Sequence, residues 1–178
     1  MIDEARVIEM ARGGDSRAFE TLLERYEKPV FNAAYRIVAN YEDAADVTQA
    51  VFVKVHRKLG SYRPEHKFFS WIYRIAINEA INFSKRRGRE HPLDYDVASR
   101  EGRRVDHLGD IARDELIQGA LRAIKIDYRV VVVLKYFLEM SYKEIGDIVE
   151  IPEKTVKSRL FTGRELLRQQ LVHRGYSR

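Results

Sequence analysis

Arg74, Asn78, Asn82 and Lys85 recur at i, i+4, i+8 and i+11, so one helix would align a guanidinium, two amides and an ammonium along a single stripe. Carboxamides pair bidentately with adenine or hold the edge of an extruded base, and nearby aromatic rings stack on unpaired bases. Amides mixed with cations therefore suit single-stranded or melting DNA. The stripe runs into a basic end, Lys85-Arg86-Arg87. A solvated helix face, basic at its carboxyl end to complement the helix dipole, is the plain alternative.

A second constellation fills residues 141–167. Ser141 with Glu144 three residues on forms a capping box, in which each side chain satisfies an orphan backbone donor of the other. Ile145, Ile148 and Val149 then share one face of a short helix that stops at Glu150-Ile151. Pro152 suits the start of the next helix, where its missing N–H is no loss. Val156 and Leu160 fix the buried side of that helix, turning Lys154, Thr155, Lys157, Ser158 and Arg159 largely outward. Two short helices at a sharp angle, the second carrying cations and hydroxyls, place base-reading groups in a major groove. An ordinary hairpin with a solvated basic face competes with this reading, because Glu150 stands where many helix-turn-helix turns use glycine.

A third group is acidic. Glu42 and Asp43 sit one turn before Asp46 and Gln49. The first two read as favourable charges at a helix amino terminus. Asp46 and Gln49 are neighbours on an otherwise apolar helix and read as a polar protein-docking surface. Charge is unevenly spread: residues 1–50 carry 6 basic and 10 acidic side chains, whereas residues 54–89 carry 10 basic and 2 acidic. So strong a local excess favours a polyanion, since each neutralised phosphate releases condensed counterions.

The elements that must hold these groups read as helices. Ser16 caps a segment with Phe19, Leu22, Leu23, Tyr26, Val30, Phe31, Ala34, Ile37 and Val38 at helical spacing, and Pro29 predicts a kink near Glu27-Lys28. Asn40 caps the next helix, with Ala44, Val47, Val51, Val55 and Leu59 inward. Gly60–Lys67 breaks the period and reads as a loop. A helix from about Phe68 to Arg87 follows, dense in Trp71, Ile72, Ile75, Ala76 and Ile81. Between Gly88 and about Asp110 the apolar period vanishes, which marks a linker. Periodicity resumes with Leu116, Ile117, Ala120, Leu121 and Ile124. The valines at 130–133 favour a strand by propensity, but a lone strand among helices has no partner, so residues 128–137 are assigned to a helix.

Composition closes off other classes. A chain of 178 residues with 45% apolar side chains can bury one core or two modest ones. It has no cysteine, hence no disulfide or thiolate site, and its histidines at 56, 66, 91, 107 and 173 lack ligand spacing. No apolar run is long enough to span a bilayer, and no signal-like amino terminus is expected. Without a glycine-rich phosphate loop, a nucleophile–base pair or a metal cluster, the chain reads as no enzyme, with no cofactor, no metal and no small-molecule substrate.

Three stretches share a resemblance. Asp46-Val47-Thr48-Gln49-Ala50-Val51-Phe52 resembles the Asp-x-x-Gln-Glu-x-Phe signature of sigma factors. Phe69-Ser70-Trp71-Ile72-Tyr73-Arg74-Ile75-Ala76-Ile77-Asn78 resembles their Phe-Ser-Thr-Trp-Leu-Tyr-Arg-Ile-Ala-x-Asn block. Residues 155–161 with Gly163-Arg164-Glu165-Leu166-Leu167 resemble their carboxyl-terminal helix-turn-helix. The layout is similar to the extracytoplasmic-function group of the sigma-70 family, over about residues 16–90 and 112–172.

The resemblance implies an all-α, cytoplasmic bacterial transcription-initiation factor of two small helical domains on a flexible linker. Residues 1–90 would bind the β′ clamp helices of core RNA polymerase through Asp46, Gln49 and Phe52. The same domain would open the −10 element of promoter DNA with Tyr62, Arg63, His66, Lys67, Trp71, Arg74, Asn78, Asn82, Lys85 and Arg86. Residues 91–111 would be the linker. Residues 112–178 would read the −35 element as duplex with Thr155, Lys157, Ser158, Arg159, Phe161 and Arg164. An anti-sigma protein would hold such a factor inactive. Three positions and one segment depart from the family pattern: Ala50 replaces a usual carboxylate, Thr162 an often basic residue and Asn82 a frequent Asp, and Ile126-Asp127-Tyr128 lacks a common proline. Two rivals remain at this point. One is a stand-alone helix-turn-helix regulator binding duplex operators; the other is a DNA-processing enzyme holding metal on Glu42, Asp43 and Asp46.

Overall fold

A computed structural model describes residues 3–90 and 108–176, and every regular element among them is helical. The first half holds α1 (Glu4–Arg12), α2 (Ser16–Val38), α3 (Tyr41–Lys58) and α4 (Phe68–Glu90), with a 3-10 turn at Leu59–Ser61. The second holds α5 (Leu108–Arg122), α6 (Ile126–Tyr136), α7 (Tyr142–Val149) and α8 (Glu153–His173). Linker residues 91–107 lie outside the described ones. α5 begins at Leu108, inside the segment 91–111 expected to be the linker.

The apolar period of the sequence begins near Ser16, yet α1 precedes it. Only Val7, Ile8 and Ala11 are buried on α1, too short a stripe for periodicity to register. Asp15, rather than Ser16, caps α2: its carboxylate accepts the N–H groups of Arg17 and Ala18 at 2.9 and 3.2 Å. α2 continues through Pro29, so the expected kink does not divide it. Asn40 caps α3 as its position predicts, accepting the Asp43 N–H at 3.0 Å. α2, α3 and α4 pack mutually around Leu22, Val30, Ile37, Val47, Val51, Ile72 and Ile77.

The valine run forms α6, with Val130–Val133 and Leu134 all buried. α6 packs against α2, α4, α7 and α8, so apolar side chains are welcome all round it, and that burial overrides strand propensity.

In the α7–α8 hairpin the capping box is complete: Ser141 Oγ accepts the Glu144 N–H at 3.2 Å, and Glu144 Oε2 accepts the Ser141 N–H at 2.9 Å. α7 ends at Glu150, whose φ of 58° is left-handed, and α8 starts directly after Pro152. The turn folds so closely that a Cβ on Gly146 would lie 2.7 Å from the Ile151 carbonyl oxygen. Ser141→Ala is expected to cost about 1 kcal/mol, measured by thermal melting. Its N–H and hydroxyl hold the Glu144 carboxyl below the ordinary range. The cap therefore acts fully above the usual glutamate pKa and is lost as pH falls through the lowered folded value. A stability gap between wild type and Ser141→Ala that does not shrink in acid would contradict this.

The halves are not separate in space. α2 meets α5 and α6, while α4 meets α6 and α7.

Candidate nucleic-acid interface

The stripe on α4 forms as its spacing requires. Arg74, Asn78, Asn82, Lys85 and Arg86 are exposed, whereas Ile72, Tyr73, Ala76, Ile77 and Ala80 between them are buried. The helix must keep its apolar residues in the core, and one polar face is what remains. Trp71 is half-buried at the start of this face, with its ring centroid 5.5 Å from that of Phe68. The Arg86 guanidinium lies over the Phe83 ring at 5.8 Å.

The loop before α4 departs from expectation at Tyr62. Its ring is only 6% exposed, wedged 5.2 Å from Phe68 and 5.4 Å from Trp71. Its hydroxyl donates to the His66 carbonyl at 2.5 Å, and burial raises its pKa. A buried tyrosine must find an acceptor for its hydroxyl, and here that acceptor is the loop itself. Tyr62 thus pins the loop and does not offer a stacking face; Trp71 is the aromatic at the surface. Arg63, His66 and Lys67 remain exposed.

On α8, Val156 and Leu160 are buried, and Lys157, Ser158, Phe161 and Arg164 share the exposed side. Phe161 is 74% exposed, the highest value among the large apolar side chains described as exposed. Lys157 Nζ lies 5.6 Å from the centre of the Tyr142 ring of α7. Thr155 and Arg159 differ from expectation: both are half-buried on the flank, and Arg159 turns toward Asp127 of α6 at 4.0 Å. The hundred-degree step of a helix sends position 159 toward the supporting helices once 156 and 160 are fixed inward.

The third surface is a groove between α2 and α3. Phe31, Tyr41 and Val53 line it beside Asp46 and Gln49, and Phe52 forms a largely buried floor. Tyr41 and Val53 are 53% and 46% exposed, an apolar strip with Glu27, Lys28, Asp46, Gln49, His56 and Arg57 also on the groove's lining. Such a strip fits a helical protein partner. Asp43 does not join it. Buried against α4, it pairs with Arg87 of that helix; burial pushes its carboxyl up and the guanidinium pulls it partly back. Asp43 is thus taken up by an ion pair with Arg87, and no three His, Cys, Asp or Glu side chains converge as a metal site among the described residues.

One buried polar cluster escaped the sequence. Arg129 is 4% exposed, and its guanidinium donates to the carbonyls of Ile37, Arg122 and Ile124, the last two at 2.8 and 3.0 Å. Arg36 pairs with Asp114, donates to Gln118 Oε1 at 3.1 Å and lies 4.7 Å over the Phe137 ring. The one available signal was a charge within a run of buried valines, which calls for a partner.

Residues 22–90 match the family model of sigma-70 region 2, and residues 114–167 that of sigma-70 region 4. The chain is 33% identical to the ECF RNA polymerase sigma factor SigW of Bacillus subtilis, over 92% of this chain and 94% of that protein. It is 34% identical to the RNA polymerase sigma-H factor of Pseudomonas aeruginosa, over 94% and 93%. Its fold is similar to that of CnrH in complex with the cytosolic domain of CnrY, with a TM-score of 0.73 at 22% identity, covering 96% of this chain and 99% of that one. A sigma factor, RpoE, in complex with the anti-sigma factor NepR from Bartonella quintana gives a TM-score of 0.70 at 22% identity, over 86% and 96%.

Proposed function

We propose a division of labour that proceeds from the family: this chain belongs to the extracytoplasmic-function group of the sigma-70 family and so acts in promoter-specific transcription initiation. Core RNA polymerase and promoter DNA are its partners. The groove of α2 and α3 takes the β′ clamp helices, with Asp46 and Gln49 as polar anchors. α4 holds the −10 element as its strands part, and α8 reads the −35 element as duplex.

The observation that carries this reading is the α4 stripe. An amide-and-cation face on a helix whose opposite side is buried suits unpaired bases better than it suits duplex. Trp71 at its head supplies the stacking surface, worth about 1–3 kcal/mol per base. Arg63 and Lys67 add phosphate contacts from the loop that Tyr62 pins.

An anti-sigma protein is proposed as a further partner, by analogy with the NepR complex.

Run-off transcription with core polymerase on a randomised promoter library tests the whole reading. Failure to select any promoter would overturn it. Within that assay, Lys157→Ala is expected to cost about 1–3 kcal/mol at one −35 position, and base preference there should relax. A uniform loss on all promoters would make Lys157 a phosphate contact instead.

A further inference from the structure

α1 precedes residues 22–90, the stretch that matches region 2, yet it is anchored in the same core. Val7, Ile8 and Ala11 are buried, and the helix packs on α2 and touches the 3-10 turn at Leu59–Ser61, just before the loop that Tyr62 pins. Three small or branched side chains add little to that core. The polar contacts of α1 say more.

Glu4 makes the central one. Its Oε1 accepts both the Arg25 guanidinium and the Tyr26 hydroxyl, each at 2.9 Å. Tyr26 is only 7% exposed, so its hydroxyl needs an acceptor, and a carboxylate makes a strong one. Burial raises the Tyr26 pKa and the bond to Glu4 raises it further, so the hydroxyl stays protonated and donates.

From Tyr26 the rings form an unbroken path to the α4 face. Tyr26 meets Phe68 edge-on at 5.4 Å between centroids, and Phe68, 3% exposed, meets Tyr62 at 5.2 Å and Trp71 at 5.5 Å. Tyr62 and Trp71 close the triangle at 5.4 Å. Each spacing falls in the range of about 4.5–7 Å where ring quadrupoles favour particular tilts. Dense interiors have little slack, so a ring that turns moves its neighbours. Two of these rings serve the −10 face: Tyr62 holds the loop bearing Arg63 and Lys67, and Trp71 stands half-buried at the head of the stripe. Charge reaches them too. After burial, Glu4 is the next group raising the Tyr62 pKa, and Arg12 of α1 opposes it.

We propose that α1 positions the −10 face: Glu4 holds the Tyr26 hydroxyl, Tyr26 sets Phe68, and Phe68 fixes the tilt of Trp71 and the seat of Tyr62. Glu4, Tyr26 and Phe68 are positioning residues, and in this role none of them touches DNA. The ring path rests on the contacts alone; its effect on promoters rests on the assignment of α4 and Trp71 to the −10 element.

Trp71 is the single tryptophan of the chain, so intrinsic fluorescence reads its surroundings directly. Glu4→Ala strips the Tyr26 hydroxyl of its acceptor, Glu4→Gln puts an amide oxygen in its place, and Arg25→Ala removes only the ion pair. Two readouts are compared: acrylamide quenching of Trp71 in the free full chain, and open-complex yield of the holoenzyme on duplex promoters. Melting temperature and affinity for core polymerase are measured on every variant. Glu4→Ala is expected to change the quenching and to lower the yield severalfold at unchanged core affinity. Glu4→Gln should restore both, and Arg25→Ala should match wild type. Once Tyr26→Phe has removed the hydroxyl, adding Glu4→Ala should change neither readout further, which an anchoring role of Glu4 independent of Tyr26 would not produce. Wild-type quenching and yield in Glu4→Ala would overturn the proposal. Equal losses in Arg25→Ala would also overturn it, leaving α1 as an anchor only. If Glu4→Ala proves unfolded, Glu4→Asp repeats the test, since it keeps the charge and draws the oxygen back by one methylene. A Trp71→Ala variant that opens promoters like wild type would sink the assignment of Trp71 to the −10 element, while altered quenching in Glu4→Ala would still establish the ring path.

Discussion

Asp46→Arg is expected to lower affinity for core RNA polymerase by about thirtyfold or more, with fold and melting temperature near wild type. Asp46 is exposed on the rim of the α2–α3 groove, and the neighbouring Val47 and Val51 carry the packing of α3. Exposed substitutions away from caps and cores usually change stability by less than about 0.5 kcal/mol. Reversing a charge at a docking surface both removes an anchor and opposes the partner's cations. Gln49→Ala should act in the same direction with a smaller effect. The measurement is a fluorescence titration of labelled chain into core enzyme. Normal affinity for Asp46→Arg would move the docking surface elsewhere, whatever transcription showed.

Asn78→Ala is the second large effect, and it separates melting from binding. Asn78 is exposed at the middle of the α4 stripe, one turn from Arg74 and one from Asn82. Extruding a base from duplex costs a few kcal/mol, which a pocket must offset by gripping that base. A lost bidentate contact is worth about 1–3 kcal/mol, or roughly 5- to 160-fold in open-complex yield. The loss is expected on closed duplex promoters. A template with a pre-melted −10 bubble should recover most of the yield, because strand separation is already done. Base preference at one position should relax on both templates. If Asn78→Ala matches wild type on duplex and keeps its full preference, the residue is only a solvated part of the helix.

The buried Tyr62 sharpens that expectation. With its ring packed on Phe68 and its hydroxyl committed to the His66 carbonyl, it cannot stack on a base without unpacking the loop. Substituting Tyr62 would disturb loop and core together, whereas Trp71 is placed to stack directly.

Local chemistry was legible in the chain. Ser141 with Glu144 specifies a capping box from four residues alone, and Asn40 specifies a helix start. The α4 stripe was equally readable, because a helix of known period with one polar row can expose only that row. The same reasoning set Val156 and Leu160 inward and left Lys157 and Ser158 outward. It misjudged Arg159, since which flank a residue takes depends on the helix packed behind it, here α6 with Asp127. It missed α1, whose three buried residues are too few to show a period.

What the sequence determined by itself was therefore the helices after α1, the caps at Asn40 and Ser141 and the chemistry of the outer faces, all governed by neighbours within about one turn. Only the tertiary structure decided that Tyr62 is buried, that Asp43 pairs with Arg87, and that Arg129 closes the end of α2 from the other domain. Each of those depends on a partner 4 to 92 residues away along the chain. Periodicity shows which face of a helix is buried. It does not show what the face is buried against, and here that partner is what joins the two domains.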